Sequence, residues 1–199
     1  GTIKALVAPG CADRSRKQIG ELEEVAKRYG AKGLAWMKVT DENTLDGGVS
    51  RFYAGQAQEI ITGLEASPGD LILLSGGDWK TACTSRGAVR VVLGQELGLA
   101  DATSFRFAWI IDFPLFEWNE DDQRWEAAHH MFTMPRAEDL PRLESDPGSV
   151  KAQLYDLVCN GVELGSGSVR IHRRDLQERV FRICGLSEAE YRTKFGFFL

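Results

Sequence analysis

Two acidic residues flank a short turn late in the sequence, at a spacing that suits metal binding. Asn160-Gly161 lies between two apolar runs, the strongest short-range signal for a two-residue type I′ hairpin turn. With this turn, Val158 lies opposite Glu163, and Asp156 lies opposite Gly165. Asp156 and Glu163 are then diagonal neighbours on one face, about 7 to 8 Å apart at the backbone, which suits a shared Mg²⁺. The alternative is two acidic residues on a solvated surface.

A glycine-rich segment follows the acidic pair. Gly165 and Gly167 lack side chains, so a phosphate group can approach the backbone there, and Ser168 joins them as a candidate loop contact. The same residue types also fit a β-bulge or a loop. The segment does not open a helix after a strand, as a phosphate-binding P-loop does.

Arg170 is a candidate anion-binding residue whose orientation depends on that segment. In an ideal strand, Arg170 and Glu163 project from opposite faces. A single bulge in the glycine stretch would bring both onto one face, where the guanidinium could bind a carboxylate or phosphate through two hydrogen bonds. Without a bulge, Arg170 is a surface arginine.

His129 and His130 end a predicted strand that starts at Trp125. Neighbouring residues of a strand point to opposite faces, so these two histidines could not easily bind one metal ion. One of them can face a pocket while the other is structural. The alternative is one packed histidine and one exposed histidine.

The cysteines do not indicate a metal site or a nucleophile. Cys11, Cys83, Cys159 and Cys184 lie far apart, without the spacing of zinc ligands. Cys11 has no base near it in the sequence. We expect reduced and mostly buried thiols.

The elements that position these residues fall into two parts. The first hundred residues alternate strands and helices and predict an α/β unit; Ser15 and Gln18 have the spacing of a capping box. The later part predicts a β-hairpin between Trp118 and Trp125 and a second capping box at Ser187 and Glu190. The strands are predicted at 3–8, 33–39, 71–75 and 105–113, the last buried on both faces, and the helices at 16–29, 55–64, 80–97, 137–143 and from Asp175 onward.

Composition excludes several classes of protein. The chain has 199 residues, of which 43% are hydrophobic, and its net charge is −5, so disorder and an extended nucleic-acid-binding surface are excluded. A local basic group at Arg14, Arg16 and Lys17 is either a solvated helix end or an RNA contact. No apolar run is long enough to cross a membrane, and we expect a cytoplasmic protein. The absent initiator Met and the apolar run 195–199 indicate a segment of a longer protein.

Several of these motifs resemble bacterial-type aspartyl-tRNA synthetase. They are the segments 129–133, 155–172 and 195–197, together with Asp112-Phe113-Pro114-Leu115-Phe116-Glu117. Residues 1–102, with the segments 5–10 and 30–36, resemble the GAD insertion domain of that family. The resemblance implies an α+β fold, in which a small α/β GAD-like domain is followed at 103–199 by part of the class II antiparallel sheet with flanking helices.

The resemblance also implies a reaction and a set of site residues. Class II enzymes of this family use ATP to convert L-aspartate to aspartyl-adenylate and transfer the aspartyl group to tRNA(Asp). By resemblance, Asp156 and Glu163 bind ATP through Mg²⁺, Arg170 binds the side-chain carboxylate of aspartate, and His129 and His130 form a histidine pair whose first member contacts aspartate. No protein nucleophile is required.

Some family features differ or are missing. Ser166 replaces a usual glycine, and Met131 stands where proline commonly follows the histidine pair. The anticodon-binding barrel and all three class II motifs are absent, including the one that forms the parent enzyme's homodimer, so we expect half of an active site that is inactive alone. Whether the parent charges tRNA(Asn) as well stays open. Three alternatives stay open: a non-catalytic module that binds tRNA or protein, a GAD-containing subunit of a tRNA-dependent amidotransferase, and an unrelated metal-dependent phosphohydrolase.

Overall fold

The structure, a computed structural model, describes residues 1–101 and 103–198. The chain divides into two compact units, Gly1–Asp101 and Ala102–Leu199. Residue 102, where we placed the domain boundary, and Leu199, the last residue of the second predicted domain, lie outside the described residues.

The first unit is a four-stranded sheet with helices on both faces. Its helix α1 begins with the predicted capping box, in which Ser15 and Gln18 bond each other's backbone N–H groups. Helix α3 (Trp79–Glu96) is capped by Asp78, whose carboxylate accepts a hydrogen bond from the backbone N–H of Thr81 at 2.8 Å. The elements are β1 (Thr2–Ala8), α1 (Arg16–Arg28), β2 (Ala35–Val39), β3 (Leu45–Asp46), α2 (Ala57–Gly63), β4 (Leu71–Gly77) and α3 (Trp79–Glu96), with single 3₁₀ turns at Ser50–Phe52 and Ala54–Gln56.

The sheet of the first unit is antiparallel at every pairing. Its strand order is β1-β4-β2-β3, and β4 pairs antiparallel with both β1 and β2. The predicted alternation of strands and helices is confirmed, but the pairing is that of an α+β unit. Each face of the sheet contributes to a separate apolar core. Helices α1 and α3 cover the face of Leu71 and Leu73, and α2 covers the face of Ile72.

The second unit contains a three-stranded sheet, a separate hairpin and two helices. The predicted hairpin between Trp118 and Trp125 is confirmed, since these residues pair directly and their rings meet edge-to-face at 5.3 Å. The second capping box, at Ser187 and Glu190, is also confirmed. The elements are β5 (Phe107–Ile110), β6 (Phe116–Asn119), β7 (Arg124–Ala127), β8 (Leu154–Cys159), β9 (Val162–Ser168), α4 (Arg174–Ile183) and α5 (Glu188–Phe195), with 3₁₀ turns at Ala137–Arg142, Pro147–Ser149 and Gly196–Phe198.

The predicted strand over 105–113 is wrong in length and in burial. Strand β5 covers only Phe107–Ile110 and lies at the edge of the sheet, in the order β5-β8-β9. Phe107 and Trp109 are 63% and 61% exposed. Burial on both faces requires a covering layer on each side, and the described residues of this unit do not supply one over β5.

The hairpin of β8 and β9 is the element that carries the candidate acidic residues. Asn160 and Gly161 have φ values of 51° and 82°, as the predicted type I′ turn requires. Val158 pairs with Glu163, as predicted. The register then shifts between Val158 and Leu157, which leaves Leu164 as an extra residue on β9. Asp156 therefore pairs with Ser166, and the predicted pairing with Gly165 is wrong.

Gly167 and Gly165 provide a test of the packing on this hairpin. A Cβ added at Gly167 would lie 2.6 Å from Cζ of Tyr155, whereas one at Gly165 would meet no atom within 4 Å. Tyr155 contacts Trp109 edge-to-face at 5.6 Å. We expect Gly167→Ala to displace the Tyr155 ring and lower the free energy of unfolding by about 0.5–1.5 kcal/mol, the typical value of an aromatic pair. Urea unfolding followed by tryptophan fluorescence measures this change.

Gly165→Ala is the matched control, and we expect it to leave stability unchanged or raise it by up to about 1 kcal/mol. In a Tyr155→Ala background, the two alanine variants should differ little. A Gly167→Ala cost that persists in that background would contradict the packing explanation.

The cysteines give a second test. All four are free; Cys11, Cys159 and Cys184 are buried and Cys83 is partly exposed. Burial raises the pKa of the Cys184 thiol to about 11, which suppresses its reactive thiolate form. We expect a disulfide reagent at pH 8 to modify about one thiol in the native chain and all four in denaturant. Rapid modification of Cys184 in the native chain would contradict this burial.

Candidate active site

The bulge on β9 orients the candidate site residues. With Leu164 inserted, Glu163 and Ser166 lie on the same face, together with Asp156 and Val158 of β8. Asp156 and Glu163 therefore remain diagonal neighbours on one face, although the predicted register was one residue out. Asp156 is half-buried and Glu163 is exposed.

The same face continues toward Arg170. Ser168 pairs with Leu154 and ends β9 on the face of Asp156 and Glu163. We infer that Arg170, two residues further on, lies on this side as well, because side chains alternate along an extended chain. The bulge on which this orientation depends is present. It lies directly before the glycine stretch, whereas the prediction placed it inside the stretch. Arg170 is held by an isolated antiparallel bridge to Thr133.

Arg170 lies against the imidazole of His130. Its Nη1 is 2.9 Å from His130 Nδ1 and contacts Nε2 as well. The backbone N–H of Phe132 also points at Nδ1, at 3.3 Å, which indicates that Nδ1 is the acceptor. Burial, and secondly the positive charge of Arg170, lower the pKa of His130 below its usual value of 6.5. The lowered pKa favours the neutral imidazole at pH 7.

The two histidines have different surroundings. His129 is exposed and meets Phe113 edge-to-face at 5.1 Å. The predicted strand from Trp125 to His130 ends at Ala127, so both histidines lie in the following turn. The structure brings His130, rather than His129, against Arg170.

An aromatic cluster holds the histidine segment in place. The centre of the Phe132 ring lies 6.0 Å from the ring centre of Phe181 in α4 and 5.4 Å from that of Phe195 in α5, and both contacts are edge-to-face. Phe195 also stacks on Phe181 at 5.3 Å, and Tyr191 stacks on Phe181 at 5.2 Å. Two of the motifs that resemble the family, at 129–133 and 195–197, thus meet around Phe181.

Gln177 is a supporting residue that the sequence did not reveal. It is 5% exposed, and its Nε2 donates a hydrogen bond to the carbonyl oxygen of Met131 at 2.7 Å. A buried amide costs free energy unless it is paired, so this bond fixes the backbone next to His130. The only available signal was a glutamine on the apolar face of α4, beside Leu176 and Val180.

A cavity of about 520 Å³ opens beside Arg170. Two further arginines line it, but both are neutralised: Arg173 pairs with Asp175 at 2.6 Å and Arg174 with Glu178 at 3.0 Å. Arg170 has no carboxylate partner among the described residues. The cavity therefore offers one uncompensated guanidinium to an anionic ligand. Its lining consists of Phe132, Arg170, Ile171, His172, Arg173, Arg174 and Gln177.

The glycine segment shows one unusual polar group. The hydroxyl oxygen of Ser168 is buried and has no hydrogen-bond partner in the part of the chain that the structure describes. Gly167 is covered by the ring of Tyr155, so its missing side chain is explained by packing. Gly165 is open, and its backbone remains approachable.

Asp156 and Glu163 supply two carboxylates, and residues 1–101 and 103–198 contain no group of three or more His, Cys, Asp or Glu residues that could hold a metal ion alone. Mg²⁺ is commonly bound by one or two carboxylates together with substrate phosphates and water. The pair fits Mg²⁺ that arrives with a nucleotide.

Among the described helices, none is both long and apolar enough to span a membrane.

Comparison with known proteins finds similarity in both units. Residues 1–85 match the GAD domain family. The chain is 53% identical to the aspartate–tRNA(Asp/Asn) ligase of Treponema denticola over 99% of its length, and 50% identical to that of Geobacillus sp. strain WCH70 over 100%. It is 46% identical to the aspartate–tRNA ligase of Enterococcus faecalis over 100% of its length. In each case it covers 34% of the relative.

The chain spans about a third of the length of the curated relatives that it matches. The resemblance that the motifs predicted is thus confirmed: residues 1–85 match the GAD domain family, and the whole chain is similar to aspartate–tRNA ligases.

Proposed function

We propose that the second unit is part of the catalytic domain of an aspartyl-tRNA synthetase, a ligase of protein biosynthesis. In this function, the parent enzyme activates L-aspartate with ATP and transfers the aspartyl group to tRNA(Asp). The observation that carries the proposal is the uncompensated guanidinium of Arg170, which lies beside neutral His130 at the edge of a cavity. The segment alone is expected to be inactive. Cytoplasmic location and homodimer formation by the parent stay predictions.

Arg170 would select aspartate by charge. Its guanidinium binds the side-chain carboxylate of the substrate through two parallel hydrogen bonds. Asparagine would leave the guanidinium desolvated without its counter-charge, which costs several kcal/mol. His130 positions Arg170 without adding positive charge, because its pKa is lowered. His129 retains the aspartate contact that the family resemblance implies.

Asp156 and Glu163 would hold the Mg²⁺ that accompanies ATP. When bound, this ion neutralises charge that develops on the phosphate oxygens. The two carboxylates fix the position of the nucleotide on the hairpin face, while Gly165 leaves room near the backbone. The α-carboxylate of aspartate attacks the α-phosphorus of ATP, the bond to the α,β-bridging oxygen breaks, and pyrophosphate leaves. These residues therefore contribute by positioning and by electrostatics rather than by covalent catalysis.

The extent of the similarity favours this function over the alternatives. A GAD-containing amidotransferase subunit would account for residues 1–85, but the similarity to aspartate–tRNA ligases covers 99–100% of the chain. A module that binds only tRNA or protein gives no reason for Asp156, Glu163 and Arg170 on one face. A metal-dependent phosphohydrolase, unrelated to these ligases, would not account for similarity along the whole chain.

The first test is aspartate-dependent ATP–pyrophosphate exchange in a chimaera. The 199 residues replace the matching third of the Treponema denticola relative, which supplies the rest of the site. We expect exchange in the chimaera and none in the 199-residue chain. Arg170→Ala should lower kcat/KM for aspartate by about 10²–10³-fold, because the side-chain carboxylate of the substrate would then enter the site without its counter-charge.

Arg192→Ala is the matched control, because Arg192 is a surface arginine paired with Glu188 one helical turn away. It should leave exchange unchanged. Exchange that survives Arg170→Ala would refute the role of Arg170 as the carboxylate ligand. A folded chimaera without exchange would refute the proposed function.

The second test concerns the acidic pair. In the chimaera, Asp156→Asn and Glu163→Gln each remove one negative charge from the proposed Mg²⁺ site. We expect each to raise the Mg²⁺ concentration for half-maximal exchange by about tenfold, since ligand charge sets affinity at such sites. Titration of Mg²⁺ at fixed ATP measures the shift.

Glu120→Gln, at the tip of the β6–β7 hairpin, removes an equal charge elsewhere and serves as the control. If the Mg²⁺ requirement stays the same in Asp156→Asn and Glu163→Gln, the acidic pair does not bind the metal.

A further inference from the structure

Helix α3 carries three cations, and its one acidic residue, Glu96, is the last residue of the helix. Between Asp78 and Glu96, its sequence contains Lys80, Arg86 and Arg90 but no Asp or Glu. This segment contrasts with the chain as a whole, whose net charge is −5. Such a local excess of cations points to an anionic partner.

Two of these cations and an exposed tryptophan share one side of the helix. Trp79, Arg86 and Arg90 recur at helical spacing, and this side lies beside the edge strand β1. Arg86 Nη1 donates a hydrogen bond to the carbonyl oxygen of Ala5 at 3.2 Å. The ammonium of Lys4, also on β1, lies 3.7 Å from the ring centre of Trp79. We call the surface formed by Lys4, Trp79, Arg86 and Arg90 the α3 flank.

The acidic residues at the two ends of α3 have other partners. Asp78 accepts hydrogen bonds from the backbone and hydroxyl of Thr81, at 2.8 and 2.6 Å. Glu96 pairs with Arg14 at 2.7 Å. Within the described residues, none of the three cations of the α3 flank forms an ion pair. Lys4 and the exposed Arg90 are therefore available to an anionic ligand, whereas the guanidinium of Arg86 is half-buried and adds positive charge behind them.

Trp79 indicates the kind of ligand. It is 65% exposed, which is unusual for so large an apolar side chain. The ammonium of Lys4 covers one region of the indole, and the remaining surface can stack on a flat group. Cations that meet phosphates, combined with an aromatic ring on which a base stacks, are the features of surfaces that bind unpaired nucleotides. An acidic peptide would use the cations but not the exposed indole.

We propose that the α3 flank contacts RNA, with Lys4 and Arg90 at backbone phosphates, Arg86 adding positive charge behind them, and Trp79 stacked on an unpaired base. The inference rests on the proposed function, which makes tRNA the relevant RNA. It differs from the RNA contact considered at Arg14, Arg16 and Lys17. There, Arg14 is largely buried and neutralised by Glu96.

Binding of a fluorescein-labelled tRNA(Asp) transcript to the 199-residue chain tests the proposal. Anisotropy is measured over a range of KCl concentrations, and circular dichroism checks that each variant is folded. Lys4→Gln/Arg90→Gln should weaken binding at least about fivefold. It should also reduce the slope of log Kd against log[KCl] by about one for each phosphate that is no longer neutralised. Trp79→Ala should weaken binding while the slope stays unchanged, because stacking releases no counterions.

Arg16→Gln/Lys17→Gln is the matched control, since it removes the same charge from the exposed start of α1. It should change the affinity less than twofold. Equal weakening by both double variants would show non-specific attraction and overturn the proposal. Tighter binding of a poly-glutamate peptide than of tRNA, lost in Lys4→Gln/Arg90→Gln, would indicate an acidic protein partner instead.

The two proposals fail in distinguishable ways. If tRNA does not bind the α3 flank while the chimaera catalyses aspartate-dependent exchange, only the RNA inference is refuted. If the chimaera lacks exchange while the flank binds RNA, the proposed function is refuted and the flank remains an RNA-binding surface.

Discussion

The extra residue on β9 is the constraint on which the candidate site depends. Side chains alternate along a strand, so Glu163 and Arg170, seven residues apart, would lie on opposite faces of a regular strand. Glu163 lies on the face of Asp156 in either case, and insertion of Leu164 reverses the alternation beyond it, so that Ser166, Ser168 and, two residues further on, Arg170 come to that face as well. A bulge at this point also bends the strand, which suits a segment that must leave the hairpin and approach Thr133. The glycine segment then continues the strand beyond the point of insertion.

The sequence predicted those features whose causes are local. Capping boxes at Ser15 and Ser187 and the turn at Asn160-Gly161 depend on a few neighbouring residues, and the structure contains all three. The position of the bulge could not be predicted, because several residues of the segment 164–168 can accommodate an extra residue. The predicted pairing of Asp156 failed for this reason alone. The presence of the two acidic residues on one face did not depend on it.

Predictions failed where the outcome depends on distant parts of the chain. The run from Phe105 to Phe113 is apolar enough for a buried strand, but burial depends on neighbours that a sequence pattern does not reveal. In the second unit, β5 has only β8 beside it, and Trp109 remains exposed. The sequence could not predict that Gln177 supports the histidine segment either, because its hydrogen bond to Met131 joins residues 46 positions apart in the sequence.

Arg170 contacts a histidine rather than a carboxylate. This contact distinguishes it, as a candidate binding group, from the arginines that have a structural role. Arg173, Arg174 and Arg179 each have an acidic partner, and their charges are satisfied within the fold. A guanidinium beside a neutral imidazole is held in position by a hydrogen bond but keeps its net charge. A carboxylate in place of His130 would neutralise Arg170 and compete with any anionic ligand. The lowered pKa of His130 agrees with this role, because a protonated His130 would be a second cation and would repel the guanidinium that it positions.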